Sequence, residues 1–233
     1  MAGRIPKELS AILEKTWRNG IVDQFDTEEC YFHALHARIG EELRRIPGCA
    51  AFWETEEEEW AEEFGGFQSY HVFFLSPKGE EFRGEDETTG YAETGEDDSG
   101  EDDPLEMPEE ITVRGERTEG YALGISLAAP VAVIQWSSLA TFEDGSFSAP
   151  DIQAADLAGE PPDEDGAGRG YSRTALRKMK KLRNAIAAVL QKYHIALLDD
   201  AVPGLIVPGL RPSREVFLDK PVRVLNAFFF RGV

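Results

Sequence analysis

The chain has 233 residues, 42% of them hydrophobic, and a formal net charge of −20 at pH 7. That length and apolar content suit one large domain or two small ones with a sizeable core. So acidic a chain is a poor ligand for nucleic acid or an anionic membrane surface, which are gripped by Lys and Arg displacing counterions, whereas its field attracts and steers a basic partner.

Read in chain order, Pro6 to Trp17 places Leu9, Ile12, Leu13 and Trp17 at helical spacing and is stopped by Asn19-Gly20, which predicts a short amphipathic helix. A second helix begins at a capping box formed by Asp26 and Glu29, carries the stripe Phe32, Leu35, Ile39, Leu43 and Ile46, and ends at Pro47-Gly48. In "AFWETEEEEWAEEFGG", Trp53, Trp60 and Phe64 lie roughly a helical face apart among glutamates, which predicts a third helix with one strongly acidic side. From Phe67 the period changes. "FQSYHVFFLSP" and "ITVRGERTEGYALGISLAAPVAVIQWSSLATF" are rich in β-branched and aromatic residues with turn signals between them, and predict an antiparallel sheet of about four or five strands.

Between those stretches, Gly84 to Pro108 has no apolar period and too little apolar surface to offset the entropy of ordering, so it reads as a long mobile acidic loop inserted between strands. "AGEPPDEDGAGRGYS" is a second connection of that kind. Ser172 to Tyr193 then predicts the longest helix, with Leu176, Met179, Leu182, Ile186, Val189, Leu190 and Tyr193 on one face and Arg173, Arg177, Lys178, Lys180, Lys181 and Arg183 around the rest. "HIALLDD" and "RVLNAFFF" read as two closing strands separated by the irregular duplicate "VPGLIVPGL". Together these elements predict a single α+β domain over residues 1–233: a mostly antiparallel sheet packed with N-terminal helices and one long C-terminal helix.

The chemistry-bearing residues form no strong constellation. Cys30, His33 and His36, with Glu29 adjacent, are spaced so that a zinc ion would need a fourth ligand from elsewhere, and the spacing matches no strong zinc signature; no metal site and no cofactor is expected. "EDDSGEDD" and "PPDEDGAG" lack the alternating ligand order of a calcium loop. "GAGRG" precedes a helix but has neither GxGxxG nor a Walker Lys, and reads as a flexible helix entry. Ser126 in "GISLA" sits inside a strand pattern rather than on a nucleophile elbow. Cys49 has no sequence neighbour that would lower its pKa, and His71 and His194 lie in apolar strand surroundings as packing residues. No catalytic residue is expected. With only two cysteines and neither a signal sequence nor an apolar run near the roughly 18 residues that span a bilayer, free thiols and a cytoplasmic location are expected.

What stands out is the placement of charge. Glu54 to Glu110 holds 22 acids against two cations, Lys78 and Arg83, and the rest of the chain is balanced. Some of that surplus can lie over the basic C-terminal helix, but Ser172 to Tyr193 offers only seven cations. The remainder must face solvent or a partner. A basic partner met by such a field is held by aromatic anchors among the acids, and the candidate contact residues are Trp53, Glu57, Glu58, Trp60, Tyr91, Asp97, Asp98, Asp102 and Asp103. Two other classes fit the same sequence. An enzyme or regulator would hold an anionic ligand through Arg169, Arg173 and Arg177 in a pocket between sheet and C-terminal helix; a structural or adaptor subunit would use exposed apolar positions such as Ala227 to Phe230 at a sheet edge.

The C-terminal third, "KYHIALLDDAVPGLIVPGL" followed by "PVRVLNAFFFRG", resembles the closing part of bacterial immunity proteins of polymorphic toxin and contact-dependent inhibition systems. The likeness covers about 45 residues of strand and turn. It implies a noncatalytic protein that binds and blocks a cognate toxin, in agreement with the charge argument. Oligomeric state is not set by any of these features.

Overall fold

The computed structural model describes residues 4–25, 31–54, 67–91, 110–143, 146–148, 152, 170–199, 201–217 and 220–232. Helical periodicity at the N terminus produces α1 (Lys7–Thr16), which buries Leu9 and Leu13, and α2 (Tyr31–Arg44), which buries Ile39 and Leu43 completely. Near the C terminus, α3 (Arg173–Lys192) starts at Ser172, whose hydroxyl accepts the Ala175 N–H at 3.1 Å, and buries Ala175, Met179, Leu182, Ile186 and Leu190. His194 ends it in the left-handed region, at φ 57°, and is exposed rather than packed as the apolar flanks suggest.

The strands are β1 (Ile21–Val22), β2 (Cys49–Glu54), β3 (Phe67–Gln68), β4 (Tyr70–Pro77), β5 (Arg83–Tyr91), β6 (Glu110–Ser126), β7 (Val131–Phe142), β8 (Phe147–Ser148), β9 (Ala196–Leu197), β10 (Arg211–Pro212), β11 (Val216–Phe217) and β12 (Arg231–Gly232). Seven of them make the main sheet, in the order β2-β4-β6-β7-β8, with β5 paired to β6 and β9 to β7. All its pairings are antiparallel except β7 with β9. The chain is therefore α+β, with four helices among the described residues. None of those helices is long and apolar enough to cross a membrane.

The sheet is covered on both faces. One face packs Phe73, Leu75, Leu123, Ile125 and Ile134 against α2 and α3, and the other packs Tyr70, Val72, Val131 and Val133 against α1 and the C-terminal segment. Burial on both sides explains why "VFFL" and "VAVI" are continuous apolar runs instead of alternating ones. Two glycines of β6 permit the close approach. A Cβ at Gly120 would lie 2.4 Å from the Leu75 carbonyl oxygen, and one at Gly124 would lie 2.1 Å from Cδ1 of the fully buried Ile152.

The C-terminal segment is sewn to the sheet by hydroxyls. Ser69 and Ser126 both donate to the Phe228 carbonyl, at 3.1 and 2.9 Å, and Ser69 Oγ accepts the Phe230 N–H at 2.8 Å. Trp17 donates its indole N–H to Ala227 O at 2.9 Å. Ser126 thus does structural work on a buried strand, as its sequence context suggests. "RVLNAFFF" is not a strand: Val224–Phe228 is a short helix, α4, because a short, mostly apolar run in which only Arg223 and Asn226 are not buried carries no clear period to distinguish helix from strand. Ala227 to Phe230 are buried, so they offer no exposed edge for an adaptor contact.

Three further expectations change. The third helix does not begin at Trp53, which lies in β2, paired with Phe74, while residues 55–66 lie outside those described. The acidic loop does not begin at Gly84: residues 84–91 belong to β5, in register with β6 over nine pairs. Its later part, 92–109, is outside the described residues. The sheet also has more strands than the four or five anticipated, because β2 falls partly in the stretch read as a helix and β5 and the two-residue β8 lack an apolar pattern of their own; β9 lies in "HIALLDD", where a closing strand is expected.

α2 and α3 are fastened at Glu42, which accepts hydrogen bonds from Lys192 Nζ and, at 2.7 Å, from Tyr193 OH. These bonds hold the Glu42 carboxyl below its usual pKa and raise those of Lys192 and Tyr193. A carboxylate with a lowered folded pKa stabilises above its unfolded value and loses that contribution as pH falls through the folded one. Glu42→Gln is accordingly expected to lower Tm at neutral pH, with the gap from wild type closing on acidification, as thermal melts across pH will show. Gly120→Ala should cost about 1–3 kcal/mol in urea unfolding, since a backbone oxygen cannot move aside; Gly124→Ala should be partly rescued by Ile152→Val.

Candidate interaction surface

β6 is 17 residues long, and only its second half runs through the core. The first half, with β5 on one side and the end of β7 on the other, forms an arm on which residues 112, 114 and 116 are exposed and 113, 115 and 117 half-buried. Among the described residues no helix roofs either side there, so no apolar pattern is required of the strand, and Gly, Thr, Glu and Arg fill it. Residues 92–109 join Tyr91 to Glu110, the last pair of this arm, and contain nine acids and no base.

At the root of the arm is a concavity of about 650 Å³ open to solvent, lined by Glu85, Asp86 and Glu87 of β5, Arg114, Gly115 and Glu116 of β6, and Thr141, Phe142 and Glu143 at the end of β7. Strand register explains the convergence. Glu85 is paired with Glu116 and Glu87 with Arg114, and Glu116 with Thr141. These side chains share the face that Gly124 presents to Phe229, because all are an even number of residues apart along β6 or paired across from such positions. Arg114 Nε is 3.9 Å from Glu87 Oε1, and the Arg114 carbonyl accepts the Glu143 N–H at 2.9 Å. Four carboxylates, those of Glu85, Glu87, Glu116 and Glu143, share the face of one guanidinium. The Glu85–Glu116 pair sets like charges directly opposite each other, an arrangement that costs stability in a sheet.

An aromatic pair borders the same concavity. Phe147 of β8 is paired with Thr141 and is 49% exposed, and its ring lies 6.2 Å from that of Trp53. β2 and β8 are four places apart in the sheet order, which in a flat sheet is about 19 Å. The sheet therefore coils strongly toward this face and brings its two margins together beside the acids. Trp53, expected as an anchor from its position among glutamates, is half-buried in this pair. Phe147 was not expected; the signal for it is an aromatic immediately after the turn "EDGS", where a solvated turn residue would be ordinary.

Of the other expected contact residues, Tyr91 ends β5 opposite Glu110, and Glu57, Glu58, Trp60, Asp97, Asp98, Asp102 and Asp103 lie outside the described residues. The anion-site residues do not converge on a pocket. Arg173 and Arg177 are exposed on α3, and the space between that helix and the sheet is filled by Met179, Leu182 and Ile186; Arg169 is outside the described residues. Lys178 of α3 binds Glu81 at 2.8 Å, so part of the basic helix is neutralised internally, through the turn just before β5.

Comparison with protein-family models, curated proteins and solved structures finds no match.

His36 is buried, with Nδ1 3.3 Å from Nδ1 of His71 on β4. It points into the core and not toward solvent; Cys30 and the His33 side chain lie outside the described set. Among the described residues no three His, Cys, Asp or Glu side chains are arranged to hold a metal ion. Burial raises the Cys49 thiol above its ordinary value, which makes it less nucleophilic. Chemically, the concavity offers hydrogen-bond acceptors, negative charge and an apolar rim. Glu85→Lys, which replaces the opposed carboxylates by an ion pair, is expected to raise Tm at low ionic strength, with the gain shrinking as salt screens it.

Proposed function

We propose that this protein is a noncatalytic binding protein that neutralises a basic protein partner, acting in the cytoplasm as an immunity protein that blocks a cognate bacterial toxin. The observation that carries the reading is the concavity at the root of the arm: four carboxylates sharing one face of adjacent strands, with an exposed Phe147 at their margin. Acids supply long-range attraction and fast encounter, and a desolvated aromatic supplies holding energy once the partner arrives. The arrangement is more than a solubilising skirt, because charges kept apart would solubilise equally well without the like-charge cost of Glu85 against Glu116. Retaining a locally unfavourable pair is the usual trade of stability for function.

The toxin assignment rests on two supports. A toxin that acts on nucleic acid or another polyanion presents Lys and Arg to its substrate, and an acidic arm of this kind covers such a surface. The C-terminal likeness to immunity proteins points the same way, and the acids of residues 92–109, joined to the end of the arm, extend the surface available to a large partner.

The test is capture of partners from a host lysate by the tagged protein, washed at low and then high salt, beside a variant carrying Glu85→Gln, Glu87→Gln, Glu116→Gln and Glu143→Gln. A basic protein is expected that is released by salt and is captured at least tenfold less by the variant. Equal capture by both proteins would overturn the acidic concavity as the contact.

A further inference from the structure

Among the described residues, the sheet is one strand short beside the arm. β4 and β5 lie end to end along the same side of β6, the first against Tyr121–Ser126 and the second against Glu110–Thr118. β2 covers the outer side of β4. No described strand covers the outer side of β5.

The direction of its backbone groups follows from one hydrogen bond. Arg114 O accepts from Glu143 N–H, so Arg114 directs its backbone groups toward β7. Along a strand the N–H and C=O of one residue point to one side and those of the next to the other. Val113 and Gly115 therefore face β5, where their partners Thr88 and Asp86 answer them. That leaves Glu85, Glu87 and Thr89 with N–H and C=O directed away from the sheet. Among the described residues, Glu87 N–H is met from its own strand, by Asp86 Oδ1 at 3.0 Å.

We propose that the outer edge of β5 is the docking site for an extended segment of the basic partner, which adds as a further strand with Lys or Arg opposite Glu85 and Glu87. The inference rests on the acidic-binding reading above and specifies its mode of recognition: backbone pairing supplies affinity and alternate side chains supply selectivity. Charge decides the occupant. Two copies of β5 pairing edge to edge would set Glu85, Asp86 and Glu87 of one against those of the other, so self-association is disfavoured, while cations at every second position place each charge on the same face as its acid. An uncharged strand gains the backbone bonds alone.

In the paired state, the residues opposite Glu85 and Glu87 exchange both backbone hydrogen bonds with them. This makes the proposal sensitive to single amides. The probe is a fluorescein-labelled nonapeptide of alternating Lys and Val, titrated by anisotropy into the full-length protein at low salt. Binding is expected for the parent peptide and for one N-methylated on its Val residues, and a loss of at least tenfold for one N-methylated on its Lys residues, whose charge is unchanged. Thr89→Pro, which removes an outward N–H and leaves the β6 ladder intact, should weaken the parent peptide severalfold without lowering Tm; Glu85→Lys with Glu87→Lys should abolish binding. If the Lys-methylated peptide binds as tightly as the parent, edge pairing is overturned and the acidic surface stands. If the parent peptide fails to bind, or binds the double Lys variant equally well, the acidic reading falls with it.

Discussion

Everything outside the core depends on the continuity of β6. A single strand of 17 residues passes from a region buried on both faces into one exposed on one face and half-buried on the other. Its second half is fixed by β4 and β7 at either side, by α2 and α3 on one face and by α1 with the C-terminal segment on the other. Its first half has only β5 and the last turns of pairing with β7. Because the pairing with β7 runs without a break from Gly115–Phe142 to Ile125–Ala132, the aim of the arm is set by the core. Preorganisation of this kind lowers the entropy that a partner must overcome on binding.

The charge follows the same division. The core half of β6 has two ionisable side chains: Glu119, 3.5 Å from the Arg117 guanidinium, and Tyr121, whose hydroxyl is pushed up to about 12 by burial. The arm half and its neighbours carry the acids. Among the described residues, Lys178 holds Glu81, Arg44 meets Glu54 and Arg114 meets Glu87, while Lys192 holds Glu42, which lies outside the acidic region.

The helices were legible because their apolar positions recur at one period: Leu9 and Leu13, Ile39 and Leu43, and Met179, Leu182, Ile186 and Leu190 of α3 are buried where the pattern places them, while Leu176, Val189 and Tyr193 are half-buried and the buried Ala175 lies outside the expected face. The two-sided sheet was legible as strand but not as architecture, since a run such as "VFFL" says that both faces are covered without saying by what. β5 was illegible for a different reason. "RGEDETTGY" is poor in residues that favour strands, and its structure comes from a partner strand some thirty residues later, a tertiary influence that overrides local preference. At Trp53 a helical period among glutamates competed with a strand pairing to Phe74, and the pairing won. The acidic character of the site was visible in composition; its location on two paired strands, and its junction with Phe147 from the far margin of the sheet, required the coiling that only the folded chain displays.

The 3-10 turn at Glu80–Phe82 separates β4 from β5, so the side of β6 opposite β7 is served by two independent segments and not by one continuous strand. Phe82 is fully buried beside Trp136 and Tyr171, which anchors the turn to the core, whereas β5 is held by its backbone pairing with β6. The two parts of β6 therefore belong to different units of local opening. Amides from Tyr121 onward exchange with solvent only when the whole domain unfolds, while those before Thr118 exchange through a cheaper separation of β5, and a strand added to that edge converts the second class into the first.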